Sequence, residues 1–287
     1  MAETTTFSRQ ETTTVTKPVE QSAFEGKTMD AEHMAIDPSV FRWKVFIAGP
    51  SGSGKTQVLA TLPGRKLIID TDRRAETLIG MPNVEIYPCY EVDARSPKAW
   101  DKLETVRRTI TSEIVKGIFP FDTVAFDGLT MMGRQGMNWA LTLDPKRGLG
   151  GAPAEHHYMP QMDALAKFIL ATLAWPVHVA YTGHIELIED KVSGAHRFYP
   201  KITGKLRSEL SNWFNETYYT YREFDSEAKR MRYFWKTAGS GSQEFFKSSL
   251  NQLGRYWVDP IEIDFDKKPV GFEDLWQRRF GPAKGGV

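Results

Sequence analysis

The rhythm of apolar and polar positions changes near Phe41. Upstream, residues 1–38 are rich in Thr, Glu, Ser and Lys and repeat a Thr triplet at Thr4 to Thr6 and Thr12 to Thr14. They hold no sustained apolar period, which predicts a disordered arm. Phe7 and Phe24 are isolated apolar residues in that arm, so the alternative reading is an arm that docks on a neighbouring subunit. Downstream, β-branched or apolar runs recur at 45–48, 66–70, 84–87, 123–127 and 177–182, and amphipathic stretches separate most of them. That alternation predicts an α/β fold, a mostly parallel central sheet covered by helices on both faces. Three later runs, 218–221, 231–235 and 261–265, predict antiparallel additions near the C-terminus.

Helices follow from the three-to-four spacing. Trp100, Leu103, Val106, Ile110 and Ile114 predict a helix over 97–116, with Ser96 as cap and Pro97 in the first turn. Met162, Leu165, Phe168, Ile169, Leu170 and Leu173 predict another over 160–174. Leu206, Leu210, Trp213 and Phe214 form an apolar face at helical spacing, as do Phe245, Phe246, Leu250 and Leu253. The Gly/Pro-rich stretch 144–153 reads as a loop. The chain therefore divides into an arm (1–38), one domain (39–270) and a C-terminal tail (271–287).

Composition narrows the class. The 287 residues carry 37 basic and 36 acidic side chains, for a net charge of +1, so any nucleic-acid contact must come from a local patch. Cys89 is the only cysteine, which excludes an intrachain disulfide and a Cys-based metal cluster and suits a reducing compartment. No apolar run approaches the ~18 residues of a membrane span, and the N-terminus lacks a signal-peptide core. The expectation is a soluble cytoplasmic protein.

Residues Gly49, Pro50, Ser51, Gly52, Ser53, Gly54, Lys55 and Thr56 spell G-x-x-x-x-G-K-T between the apolar run at 45–48 and the helical-looking Gln57 to Ala60. This is a P-loop in its strand-loop-helix setting. Its glycines turn successive backbone N–H groups toward a phosphate chain, and the next helix adds its positive end. Lys55 would reach the β- and γ-phosphates, and Thr56 would hold Mg²⁺. Together with Gln57 these residues form the predicted ATP site. Phe121 to Asp127 (FDTVAFD) ends an apolar strand in an aspartate, the Walker B pattern, and makes Asp127 a second Mg²⁺ residue. Two strand candidates lie between the P-loop and Asp127, so the strands that carry them need not be neighbours in the sheet.

Two more segments complete the set. LIIDTD (67–72) places Asp72 beyond a strand end; read from the residues alone, Asp70 and Asp72 end the strand and cap the next helix. HVAYTGH (178–184) puts His184 at the end of the strand after Walker B. In this order, GPSGSGKT, LIIDTD, FDTVAFDGLT and HVAYTGH resemble the phage-type RecA-like P-loop ATPases of single-strand annealing and recombination, over roughly residues 41–225. The resemblance implies a RecA-like fold, catalytic roles for Lys55, Asp72, Asp127 and His184, and ATP with Mg²⁺. It also implies single-stranded DNA as partner, a homo-oligomer with nucleotide near subunit interfaces, and the cytoplasm of a phage-infected or prophage-bearing host. A single-strand-binding protein is a further expected partner. Where that family carries a glutamate, this chain has Asp72, one methylene shorter.

If DNA follows that pattern, it meets the loops after the Walker B and His184 strands. Lys201, Lys205 and Arg207 are the predicted contacts, with Phe198 and Tyr199 as stacking faces. Lys146 and Arg147 lie in the Gly-rich loop, and His156 and His157 lack the spacing of a common zinc motif. Rival readings are a packaging or translocation motor, a small-molecule kinase and a non-hydrolysing nucleotide-dependent scaffold. Gly128 after Asp127 departs from the adjacent Asp-Glu typical of the motors.

Overall fold

The structure, a computed structural model, describes residues 37–93, 95–144, 152–189, 194–252 and 254–281. The compact unit starts at Arg42. Most of the predicted arm lies outside the described residues, as do Lys146, Arg147 and Lys191.

Five runs become the strands predicted for them: β1 (Lys44–Ala48), β2 (Lys66–Asp70), β3 (Val84–Pro88), β4 (Thr123–Asp127) and β5 (His178–Gly183). All residues of β4 and β5 are buried, as expected of a central parallel strand covered on both faces. A hairpin of β6 (Ile185–Glu189) and β7 (His196–Pro200) forms a separate two-stranded sheet that periodicity did not indicate. The large sheet then adds β8 (Glu216–Asp225), β9 (Arg230–Lys236), β10 (Lys247–Ser248) and β11 (Ile261–Glu262). Its order is β11-β9-β8-β1-β5-β4-β2-β3, with β10 paired to β8. One expected addition differs: β8 runs parallel to β1 and antiparallel to β9. The strand that separates β1 from β4 is β5, which follows Walker B in sequence, while β2 and β3 lie on the far side of β4.

Helices cover both faces. The helical-looking Gln57 to Ala60 falls in α1 (Lys55–Val58) and the 3-10 turn that follows it (Leu59–Thr61), so the helix behind the phosphate loop is short. On one face, α2 (Ala99–Val115), α3 (Leu129–Thr142), α4 (Glu155–Leu173) and α5 (Leu206–Trp213) pack over alternate strand residues. Phe126 stacks on Tyr181 at 4.7 Å between ring centroids and meets Phe168 edge-on at 5.4 Å. Trp100 from α2 touches Phe168 of α4 at 5.7 Å, which joins α2, α4, β4 and β5 in one core. α4 starts before the predicted 160–174: Ala154 N donates to His157 Nδ1 at 3.0 Å, a side-chain cap, and Pro160 lies inside the helix.

The opposite face is closed by the C-terminal segment. Residues expected as a tail form α6 (Phe272–Phe280), whose Phe272 is fully buried against Trp43 and Trp235 at 5.1 and 4.9 Å. Sequence reading missed this because a nine-residue helix with only a few apolar positions has a weak period. Phe245, Phe246 and Leu250 are buried as expected but not on a helix, since the segment is a 3-10 turn followed by β10. Leu253 lies outside the described residues.

Candidate functional site

Register decides what meets at the sheet's C-terminal edge. Ala48 pairs with Gly183, Asp127 with Thr182, and Asp70 with Asp127. The loops that leave β1, β2, β4 and β5 therefore open into one place, the usual binding edge of an open α/β sheet. A cleft of about 330 Å³ forms there, and Lys55, Thr56, Asp72, Asp127, Thr182 and His184 all face it.

The phosphate loop is held from two sides. Gly49 N donates to Gly183 O at 3.2 Å, and Thr220 of β8 donates its hydroxyl to Ser53 O at 2.6 Å. Gly52 has φ of 73°, and a Cβ there would lie 3.0 Å from the Arg222 guanidinium, so both the turn and the close cation require glycine. Lys55 donates to Gly49 O at 3.0 Å and Pro50 O at 2.6 Å. Burial pushes its amine down to about 8, although Asp127 and Asp72 pull it back up. Arg74 reaches Ser51 Oγ at 3.5 Å, so a third cation borders the loop. Because α1 is one turn, the groups that the loop could offer a phosphate are chiefly its backbone N–H groups and these cations.

Across the cleft stands Asp127. Its Oδ2 accepts the Thr56 hydroxyl at 2.7 Å, and its Oδ1 accepts the Thr182 hydroxyl. Thr182 Oγ1 also accepts Gly128 N–H at 2.9 Å, which locks the strand end. Burial raises the Asp127 carboxyl, and the two threonine hydrogen bonds and Lys55 oppose the rise. A nearly buried carboxylate beside a hydroxyl is a hard oxygen donor set that fits Mg²⁺.

The two aspartates after β2 divide the roles left open by sequence. Asp70 Oδ1 accepts Arg73 N at 2.8 Å and Arg74 N at 3.3 Å, so Asp70 caps the turn. Asp72 instead faces the cleft, and its buried Oδ1 has no hydrogen-bond partner. Burial, followed by the charges of Asp127 and Asp70, pushes its carboxyl up to about 6. The backbone before it is fixed. Thr71 donates its hydroxyl to Asp127 O at 2.7 Å, and Gln135 of α3 donates to Thr71 O at 3.2 Å and Cys89 O at 3.1 Å.

His184 borders the same cleft. Its N–H donates to Thr130 Oγ1 at 3.1 Å and its carbonyl accepts Lys201 N at 2.8 Å. Burial lowers its ring, with Lys55 and Arg74 adding to the shift and a Gly49 backbone contact opposing it. Sequence reading missed Thr182, Arg74, Arg222, Thr71 and Gln135. Thr182 alone left a signal, a hydroxyl at the end of an otherwise apolar strand.

The predicted DNA contacts lie apart from this cleft. Lys201 and Arg207 line a second one of about 410 Å³, together with Thr130, Arg134, Tyr158 and Glu186. Arg207 pairs with Glu186 at 3.3 Å, and Lys205 sits 3.7 Å from Glu209. One face of the Phe198 ring stacks on Tyr219 at 5.5 Å, and the residue is partly buried. Asp144, His156 and His157 come together nearby, with ligand-type atoms within 4.8 Å of one another. His157 Nδ1 accepts Ala154 N–H, so in the neutral ring Nε2 carries the proton; it lies 3.5 Å from Asp144 Oδ2 without a hydrogen bond to it and offers no lone pair to a metal.

A family model described as an AAA domain matches residues 42–243. No curated protein matches the chain. Among the described residues no helix is long and apolar enough to cross a membrane.

Proposed function

Because the chain belongs to the AAA domain family of P-loop ATPases, we propose that it hydrolyses ATP in the Lys55 cleft and acts on single-stranded DNA in phage-type recombination or annealing. The observation that carries the hydrolytic reading is the convergence of Lys55, the Thr56–Asp127 pair and Asp72 in one cleft. Lys55 exchanges the Gly49 and Pro50 carbonyls for phosphate oxygens, which stabilises its charged form. Thr56 and Asp127 would hold Mg²⁺, which when bound neutralises phosphate charge. Asp72, on the wall of the same cleft, accepts a proton from the attacking water, a role suited to a carboxyl near 6. Thr182 keeps the Asp127 carboxylate in one orientation. Arg74 and Arg222 add positive charge beside Ser51 and Gly52, where negative charge grows as the terminal phosphate leaves.

The DNA reading rests on the resemblance and on one contact. Lys201, which lines the second cleft, donates its backbone N–H to the carbonyl of His184, which lines the first. Lys201, Lys205 and Arg207 would neutralise phosphates of a single strand, and a homo-oligomer on that strand belongs to the same proposal. The test is phosphate release with and without single-stranded DNA, beside salt-dependent binding of a labelled single strand. Removing Lys201, Lys205 and Arg207 should weaken binding and flatten its salt slope. Unchanged affinity and slope would remove the DNA assignment and leave the ATP site intact.

A further inference from the structure

Next to the phosphate cleft lies another, of about 280 Å³, with Gln57, Tyr233, Phe265, Arg230, Asp264 and Asp266 among its lining. Gln57 and Tyr233 line both clefts. The two clefts therefore share a wall at the residue that follows Thr56.

The walls of this side cleft have a mixed chemistry. Tyr233 of β9 and Phe265, in the loop after β11, meet edge-to-face at 5.6 Å, and both are half-buried. Both rings also crowd the phosphate loop: a Cβ on Gly54 would lie 3.3 Å from Phe265 and 3.5 Å from Tyr233. At the rim, Asp264 accepts Asp266 N–H at 3.2 Å and pairs with Lys267 at 3.1 Å and Arg230 at 3.6 Å. These contacts keep its carboxyl below the usual range, so it stays an acceptor. Loop 263–266 is tied to the sheet by Ile263 N, which donates to Tyr233 O at 2.8 Å.

We propose that this side cleft is the base subsite of the nucleotide, in which Tyr233 and Phe265 provide aromatic faces for a purine and the Asp264 rim accepts from an exocyclic amino group. The proposal rests on the phosphate loop being the site of the phosphates. A triphosphate held over Gly52 to Thr56 with its terminal phosphate toward Asp127 directs its ribose and base away from Asp127, and the side cleft shares Gln57 and Tyr233 with the phosphate cleft. Partly exposed aromatic rings on a cleft wall are suited to stack on a base, because every base has a π-face.

The experiment compares ATP with inorganic tripolyphosphate, each with Mg²⁺, by titration on the full chain. The wild-type protein should bind ATP about 10-fold or more tightly than tripolyphosphate, the stacking range expected of one base on aromatic side chains. Tyr233→Ala and Phe265→Ala should collapse that ratio toward one while tripolyphosphate affinity stays within about twofold. Tyr233→Leu and Phe265→Leu, which keep apolar bulk against Gly54, should show the same loss and guard against misfolding. Photolabelling with 8-azido-ATP should mark residues 230–236 or 262–267. An ATP preference that survives all four substitutions, or label elsewhere in the chain, would overturn the subsite. Lys55→Ala separates the two levels, because it should weaken both ligands equally. If it weakens neither, the phosphate site itself fails.

Discussion

The hydroxyl of Thr56 lies 2.7 Å from Oδ2 of Asp127, although 71 residues separate them in sequence. Asp127 ends β4 while Thr56 lies in α1, beyond the phosphate loop that leaves β1, and β5 separates β1 from β4, so the contact depends on the registers of three parallel strands. Asp127→Asn keeps the shape and removes the charge. It should make nucleotide binding insensitive to Mg²⁺ and lower turnover by about 100-fold or more. Titrations of ATP with and without Mg²⁺ check this, and a persistent Mg²⁺ dependence would count against the metal role.

Thr182 serves Asp127 and Gly128 at once, as donor to the first and acceptor for the second. Thr182→Val retains the volume but strands a buried carboxylate oxygen and a buried N–H. A loss of about 2–3 kcal/mol in urea unfolding is expected, with most of it recovered in Thr182→Ser. Equal stability of the Val and Ser variants would show that the hydroxyl network contributes little.

Two shifted groups set a pH profile. Asp72 must lose its proton to accept one from water, so kcat/KM should rise as pH passes about 6. Lys55 binds phosphate as a cation and is held down to about 8 in the free protein, so the same quantity should fall above that pH. Asp72→Asn should erase the acid limb. An acid limb that persists in this variant would assign it to another group.

The same aspartate links function to stability. Its folded carboxyl near 6 exceeds the unfolded value of about 3.9, so the folded state holds its proton longer. Burial of the charge therefore destabilises the fold progressively from about pH 4 to 6, and in full above that window. Asp72→Asn should gain about 1 kcal/mol of stability at pH 7.5 relative to its effect at pH 4, a figure discounted for the solvent-facing part of the side chain. Urea melts at both pH values measure it, and an identical effect at both would argue against a strained acid.

How far the sequence reached depended on the range of each interaction. β1, β2, β4 and β5 were legible because a buried parallel strand needs a nearly unbroken apolar run, and the phosphate loop because its motif is local. Lys55 and Thr56 could be named from the phosphate-loop motif and Asp127 from a strand end, whereas Asp72 and His184 were named through the RecA-like resemblance. Thr182, Arg222 and Gln135 could not, since each acts through a partner distant in sequence: Thr182 through Asp127, Arg222 through Gly52, and Gln135 through Thr71. Sheet order was equally hidden, because the strand between β1 and β4 comes after both of them in the chain. Helix α6 escaped because its stability comes from Phe272 in the opposite core rather than from its own period.

Phosphate release from Mg-ATP, measured beside ATP affinity for wild type, Lys55→Ala and Asp72→Asn, tests the hydrolytic site most directly. The wild-type chain should turn over, and Lys55→Ala should lose both binding and release. Asp72→Asn should bind ATP within a few-fold of wild type while release falls by about 100-fold or more. Release at the wild-type rate by either variant would contradict the assignment of this cleft as the place where ATP is cleaved.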